Sequence, residues 1–237
     1  MILCLDAGNT RLKYGLFDGG GWRGQGALRH DALDDLRTEL PARPARIVAC
    51  NVAGAAVRQR IEAFAASLAV PLDWLTSTAA ACDVRNGYDT PQQLGADRWA
   101  ALIGARALHA GACVVVMAGT ATTIDVLDDT GLFRGGLILP GLALMRTALA
   151  RNTADLPHAA GHYRVLPTNT DDAIVSGALH ATLGAIARMR TEARLCLLSG
   201  GAAGELAPHL GLPYRLVDNL VLEGLARYSK MCLNSVN

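Results

Sequence analysis

"LDAGNTRLKYGLFDGG", Leu5 to Gly20, joins two apolar runs through a carboxylate, a glycine and two small polar residues. Asp6 closes the first run, Gly8-Asn9-Thr10 makes a turn, and Lys13 lies on the returning run. One reading is an ordinary β-hairpin, since Asn and Gly supply turns wherever they fall. The other is a phosphate cradle, in which backbone N–H groups of the turn face an anion flanked by Asp6 and Lys13. Short glycine turns are common, so the stretch alone favours the hairpin. The remainder of the chain changes that balance.

The pattern recurs at "CVVVMAGTATTIDVLDDTGLFRGGLIL", Cys113 to Leu139. With Gly119 set on Gly8, both stretches give an apolar run, Ala-Gly, small polar residues, a second run, an acidic-Gly turn and a third run. Such a repeat takes precedence over element-by-element assignment. The first copy continues with a helical stretch at 31–39, a strand at 46–50, a helix at 55–68, a strand at 71–75 and a helix at about 94–109. The second continues with helical periodicity at 171–190, a strand at 195–198, a short helix within 199–209, a strand at YRLV and a helix from 220. Each half is therefore a βββαβαβα unit, which implies a mixed sheet with helices on its faces. The expected domains are 1–112 and 113–237, with a cleft between them. Repeated α/β units exist without any ligand, so the architecture by itself fixes no function.

A chain of 237 residues with 51% hydrophobic composition can bury one large core or two moderate ones. Net charge is +1 and no block of like charges occurs, which argues against a nucleic-acid or anionic-membrane partner. Lys13 and Lys230 are the only lysines, so a lysine in the first hairpin stands out. The six cysteines form no C-x-x-C pair; Cys4, Cys50, Cys113 and Cys196 lie in apolar runs and fit small buried hydrophobes in a reducing compartment. No apolar stretch is long enough to span a bilayer, and MILCLD begins without a basic segment ahead of an apolar one. A cytoplasmic protein is expected.

Other segments carry candidate chemistry. Asp97 and Arg98 follow Gly95 in the first turn of the helix at 94–109; a helix dipole favours an acid there without any catalytic role. As a site, Asp97 could accept a hydroxyl proton and Arg98 could orient an anion. Thr170 has the position of an N-cap for the helix at 171–190. The stretch 152–170 has two prolines and no periodicity, which marks a functional or disordered loop; its histidines, His158 and His162, are expected in solvent. In "LSGGAAGEL", Leu198 to Leu206, the Ser-Gly-Gly would let an adenosine approach the backbone or merely cap a strand.

Three blocks together, Asp6-Ala-Gly-Asn-Thr10 with Lys13, Leu94-Gly-Ala-Asp-Arg-Trp99, and Gly119-Thr-Ala-Thr-Thr-Ile-Asp125, resemble the type III pantothenate kinases. The resemblance runs from Asp6 to the NLVLEG stretch at Asn219–Gly224. It implies the duplicated ribonuclease H-like, actin-like ATPase fold of the acetate kinase–sugar kinase–Hsp70–actin superfamily. It implies ATP-dependent phosphorylation of pantothenate to 4′-phosphopantothenate, the first step toward coenzyme A. By resemblance, ATP meets Asp6, Ala7, Gly8, Asn9, Thr10, Arg11, Leu12, Lys13 and Thr120. Pantothenate meets Tyr88, Gly95, Ala96, Asp97, Arg98 and Thr170, with Asp97 as general base. Asp6 would hold Mg²⁺ directly or through water, a cation that usually keeps several waters. The family also implies a homodimer in which Thr170 can close a neighbour's pocket.

Members of such families usually carry an aspartate where this chain has Met117, and that aspartate helps hold potassium or ammonium. A thioether is a poor donor to a hard cation. Either the cation is dispensable here, or its site is rebuilt from carbonyls and Asp125. Alternatives to pantothenate kinase are another small-molecule kinase of the superfamily and a non-catalytic accessory factor for transcription. Asp6, Asp97, Arg98 and Thr120 are all present, which disfavours a dead scaffold, and the lack of a basic patch disfavours DNA binding.

Overall fold

The computed structural model describes residues 1–234. Two compact units divide it: residues 1–110, 131–133 and 219 onward in the first, 111–130 and 134–218 in the second. The boundary expected at 112/113 thus falls at 110/111, and the C-terminal segment, expected in the second unit, clusters with the first.

The first unit opens with β1 (Ile2–Ala7), β2 (Leu12–Phe17) and β3 (Trp22–Leu28), an antiparallel meander. A 3₁₀ turn (His30–Asp35) and the short α1 (Leu36–Glu39) occupy the helical stretch expected at 31–39. Next come β4 (Arg46–Asn51), α2 (Ala55–Leu68) and β5 (Leu72–Trp74), and β4 and β5 join the sheet in parallel. The strand order is β3-β2-β1-β4-β5. The central strand β1 is buried along its whole length, so its apolar residues do not alternate with polar ones. Two short strands absent from the sequence reading follow, β6 (Ala80–Ala81) and β7 (Val84–Asn86), before α3 (Ala96–Leu108).

The second unit repeats the plan. Strands β8 (Cys113–Ala118), β9 (Ala121–Leu127) and β10 (Leu132–Pro140) form the meander, and the first residues of β10, Leu132 and Phe133, pair with β7 of the first unit's grouping. Then come α4 (Leu142–Asn152), α5 (Thr170–Met189), β11 (Leu195–Ser199), α6 (Ala203–Leu206) and β12 (Tyr214–Leu216). The order β12-β11-β8-β9-β10 is that of the first unit, since β8 to β12 correspond to β1 to β5. The register matches too. Asp6 pairs with Lys13 and Ala7 with Leu12; Met117 pairs with Thr123 and Ala118 with Thr122. Met117 therefore holds the place of Asp6, and Thr123 that of Lys13.

α4 lies in a segment to which the sequence reading assigned no helix. It starts after Gly141, buries Leu142 and leaves Leu144 and Leu149 exposed, so its apolar pattern is diluted. Thr170 is not the N-cap of α5: Asn169 is, its side chain accepting from the Asp172 N–H at 2.9 Å. Nor is α5 buried all round. Ile174, Val175, Ala178, Leu179, Thr182 and Ile186 face the second unit's core, whereas Gly177, Ala181 and Gly184 are exposed. Alanine and glycine count as apolar in a sequence pattern but carry too little surface to require burial.

The final helix, α7 (Leu220–Asn234), packs on α3 within the first unit. Contact is between backbones: a Cβ on Gly224 would run into the carbonyl of Ala100, and one on Gly104 into the carbonyl of Leu220. Trp22 Nε1 donates to Glu223 at 2.6 Å and ties β3 to the same helix. These contacts set the height and direction of α3, and with it the position of Asp97 and Arg98.

Candidate active site

Asp6 is the last residue but one of β1, flanked by Lys13 on β2 and Cys50 on β4. It is 6% exposed, and burial raises its carboxyl from 3.8 to about 6. Lys13 acts in the opposite direction, Asp97 adds a further raise, and the Cys50 thiol donates to Oδ1 at 3.6 Å. The same burial, with Asp6 next to it, pushes the Cys50 thiol well up, so the sulfur keeps its proton and remains a donor. Asp6 and Asp97 feel each other electrostatically, and the sequence-predicted Mg²⁺ ligand and base therefore share one locality of the first unit.

The turn after Asp6 leaves Asn9, Thr10 and Arg11 exposed, with Gly8 half-buried. Two carbonyls at its start are tied to the protein. Ala7 O accepts from the Val52 N–H at 2.9 Å, and Gly8 O meets His30 Nε2 at 2.8 Å. Ala7 and Leu12, both assigned to ATP by resemblance, are buried and face each other across the β1–β2 ladder.

Gly95 caps α3, and Ala96, Asp97 and Arg98 form its first turn. The Asp97 carboxylate folds back to accept the Arg98 N–H at 2.8 Å. A Cβ on Gly95 would stand 2.7 Å from that carboxylate, so glycine at this position leaves Asp97 its conformation. Arg98 is 5% exposed. One guanidinium nitrogen donates to the Tyr88 hydroxyl at 2.9 Å, and the cation lies 5.7 Å and 5.8 Å from the Tyr88 and Phe133 ring centres. The two rings are 5.3 Å apart. Asn86 accepts the Tyr88 N–H at 3.1 Å and donates to the Pro91 carbonyl, which fixes the loop presenting Tyr88.

Gly119 and Thr120 form the corresponding exposed turn of the second unit. Thr120 O accepts from the Gly141 N–H at 2.8 Å. Asp125 is fully buried in β9, and Met117 is half-buried in β8. The hydroxyls of Thr122 and Thr123 are buried without a hydrogen-bond partner. The first turn is thus flanked by a carboxylate and an ammonium, the second by a thioether and a hydroxyl. In "LSGG", Gly200 has a φ of +103° and lies against the end of β8, so this glycine serves the fold's own turn. Thr170 is exposed at the start of α5, and His158 and His162 are exposed as expected.

Three residues of this locality escaped the sequence reading: His30, Cys50 and Phe133. Cys50 was read only as a small buried hydrophobe, and nothing in the sequence around His30 or Phe133 distinguishes them from packing residues.

The donor set fits a Mg²⁺ ion at Asp6, because a carboxylate whose ionisation is opposed by burial gains most from a cation. The set around Met117 does not fit a potassium or ammonium site of the family kind, since no carboxylate occupies the place of Asp6 in the second unit.

A duplicated sheet of this order, with an acidic strand end and a glycine turn, is the fold of the actin-like ATPases and sugar kinases. A Campylobacter jejuni structure named as a Baf family transcriptional activator is similar at a TM-score of 0.67 and 22% identity, over 98% of this chain and 99% of that one. A Sinorhizobium meliloti protein named as a 2-dehydro-3-deoxygalactonokinase gives 0.65 and 19%, over 98% and 99%. The type III pantothenate kinase of Aromatoleum aromaticum is 55% identical over 233 residues, 95% of this chain and 96% of that one. Residues 2–192 match the type III pantothenate kinase family. The chain belongs to that family.

Burial of Asp6 has a consequence for stability. Its native value lies above 3.8, so the folded state binds the proton more tightly than the unfolded state and loses stability as pH rises from about 4 through about 6. In metal-free buffer, Asp6→Asn escapes that loss. Urea unfolding should find it more stable than the parent at pH 8 by about 2–3 kcal/mol, with the gap closing below pH 4. Equal or lower stability at pH 8 would contradict the electrostatic account.

Proposed function

We propose that this pantothenate kinase transfers the γ-phosphoryl group of ATP to the primary hydroxyl of pantothenate with Asp97 as the base. The observation that carries this reading is the pairing of Asp97 with the buried, ring-held Arg98 at one helix N-terminus, electrostatically coupled to Asp6. Asp97 takes the hydroxyl proton as the oxygen attacks phosphorus, the O–P bond to pantothenate forms, and the bond to the ADP oxygen breaks. Arg98 and Tyr88 orient the anionic substrate, and the backbone at Gly95 and Ala96 lines its approach. Thr170 is assigned to the same substrate.

Residues Asp6 to Lys13 are assigned to ATP. The N–H groups of the Gly8–Arg11 turn receive phosphate oxygens, and Lys13 contributes a point charge. Thr120 is assigned to the nucleotide as well. When bound, Mg²⁺ neutralises phosphate charge, and Asp6 is the residue that would hold it. No potassium or ammonium is required, because the place of the family aspartate is taken by Met117. The protein acts in the cytoplasm; among the described residues no helix is long and apolar enough to cross a membrane.

The working assembly is a homodimer. Support comes from the exposed small residues Gly177, Ala181 and Gly184 on α5, on the helix that begins at Thr170, together with exposed Leu144 and Leu149 on α4. Small side chains let two helices approach closely, and two-fold pairs are the commonest oligomers.

Asp97→Asn should retain the fold and Mg-ATP binding while kcat falls ~10²–10⁴-fold, read by ADP release with pantothenate. Near-normal turnover would place the base elsewhere. In the same assay the parent enzyme should run at its full rate in buffer free of potassium and ammonium, and a steep rise on adding either would show that the second turn does hold a cation. For the dimer, mixing Thr170→Ala with Asp97→Asn should restore activity, since one composite site per mixed dimer would be intact. Subunit exchange proved by a tagged pull-down, without regained activity, would exclude a shared pocket.

A further inference from the structure

Each unit ties its glycine turn at two backbone carbonyls, the first equivalent in both units and the second one residue further on in the second unit, and one of the four holding groups is a side chain. In the first unit Ala7 O accepts from the Val52 N–H at 2.9 Å, just past the end of β4. In the second, Ala118 O accepts from the Ala202 N–H at 3.0 Å, just past the end of β11, the counterpart of β4. The second holding point comes from the chain leaving the third strand. In the second unit it is the Gly141 N–H, directly after β10, donating to Thr120 O at 2.8 Å. A Cβ there would collide with the carbonyls of Gly119 and Thr120, so backbone reaches backbone only because residue 141 is glycine. In the first unit the chain leaving β3 makes no such backbone approach among the described contacts; instead the imidazole of His30, two residues past β3, reaches Gly8 O at 2.8 Å.

We infer that His30 is a positioning residue for ATP, a side-chain clamp on the first turn in the part of the fold where the second unit uses backbone one residue further along its turn. The physical link runs through one peptide plane. A trans peptide points its C=O and the following N–H in opposite directions. Fixing Gly8 C=O against His30 therefore fixes the Asn9 N–H on the opposite side of the turn, the side left for a phosphate. Gly8 lacks a Cβ and its peptide would otherwise rotate at little cost. Because a carbonyl only accepts, Nε2 of His30 must carry the proton. The inference rests on the assignment of the Gly8 turn to ATP phosphates.

Three measurements test it. First, long-range ¹H–¹⁵N spectra of ¹⁵N-histidine protein without nucleotide should show His30 as the Nε2–H tautomer at pH 8; an Nδ1–H tautomer would overturn the contact whatever the turn binds. Second, His30→Ala and His30→Leu should raise KM for ATP about 3- to 10-fold, the worth of one hydrogen bond, with kcat and KM for pantothenate within about twofold of the parent. Leucine keeps much of the bulk without a donor, so it stands in if alanine folds poorly. Third, His30→Gln, whose amide nitrogen can take the place of Nε2, should recover most of the parent KM. Unchanged KM for ATP in the alanine and leucine variants would overturn the proposal, as would equal losses in all three. Calorimetry of the parent with Mg-ATP separates the two levels. If the parent binds Mg-ATP and the variants match it, only the role of His30 fails; if the parent does not bind, the ATP assignment of the turn fails too.

Discussion

The backbone contact of α7 with α3 is the constraint on which the candidate site depends. Gly224 lies against the carbonyl of Ala100, and Gly104 against that of Leu220, at separations no side chain could share. Close-packed interiors do not yield to an added methylene without shifting backbone. The two glycines therefore fix α3 along its axis, and the helix N-terminus carries Asp97 and Arg98 with it. A segment more than a hundred residues later in the chain thereby positions Asp97.

Within that frame, the two carboxylates lie in different surroundings. Asp6 is buried at a strand end and its ionised form is disfavoured, which suits a group that acquires a cation. Asp97 is half-exposed in the first turn of α3, its carboxylate accepting the Arg98 N–H. Arg98 is buried, but its cation is shared by the Tyr88 hydroxyl and two ring faces, so burial does not leave it unpaired.

Duplication gave the two units one strand order and one shared tie at the carbonyl that ends their first strand, but different chemistry beside the turn. Asp6 and Lys13 in the first unit become Met117 and Thr123 in the second. A neutral pair can still present backbone N–H groups, while it neither holds a hard cation nor adds charge to a phosphate. The carboxylate and the ammonium beside a turn therefore belong to the first unit alone.

What was legible in the sequence is what local physics dictates. The strands around Asp6 and Gly119 followed from their apolar runs, α2 from its periodicity to the residue, and the register of Met117 on Asp6 from the repeat. The motif residues were legible too, since a carboxylate after a helix-opening glycine carries its chemistry wherever it lies. Other features are decided by contacts between distant segments, which no local pattern encodes. Asn169 rather than Thr170 caps α5 because its side chain reaches the Asp172 N–H, and the neighbouring residues gave both the composition of a cap. The membership of α7 in the first unit, Phe133 over Arg98, and His30 at the Gly8 carbonyl exist only once the chain has returned on itself. Sequence determined which residues could do chemistry; tertiary structure decided which of them meet, because burial and hydrogen-bond direction belong to the packed chain and not to its segments.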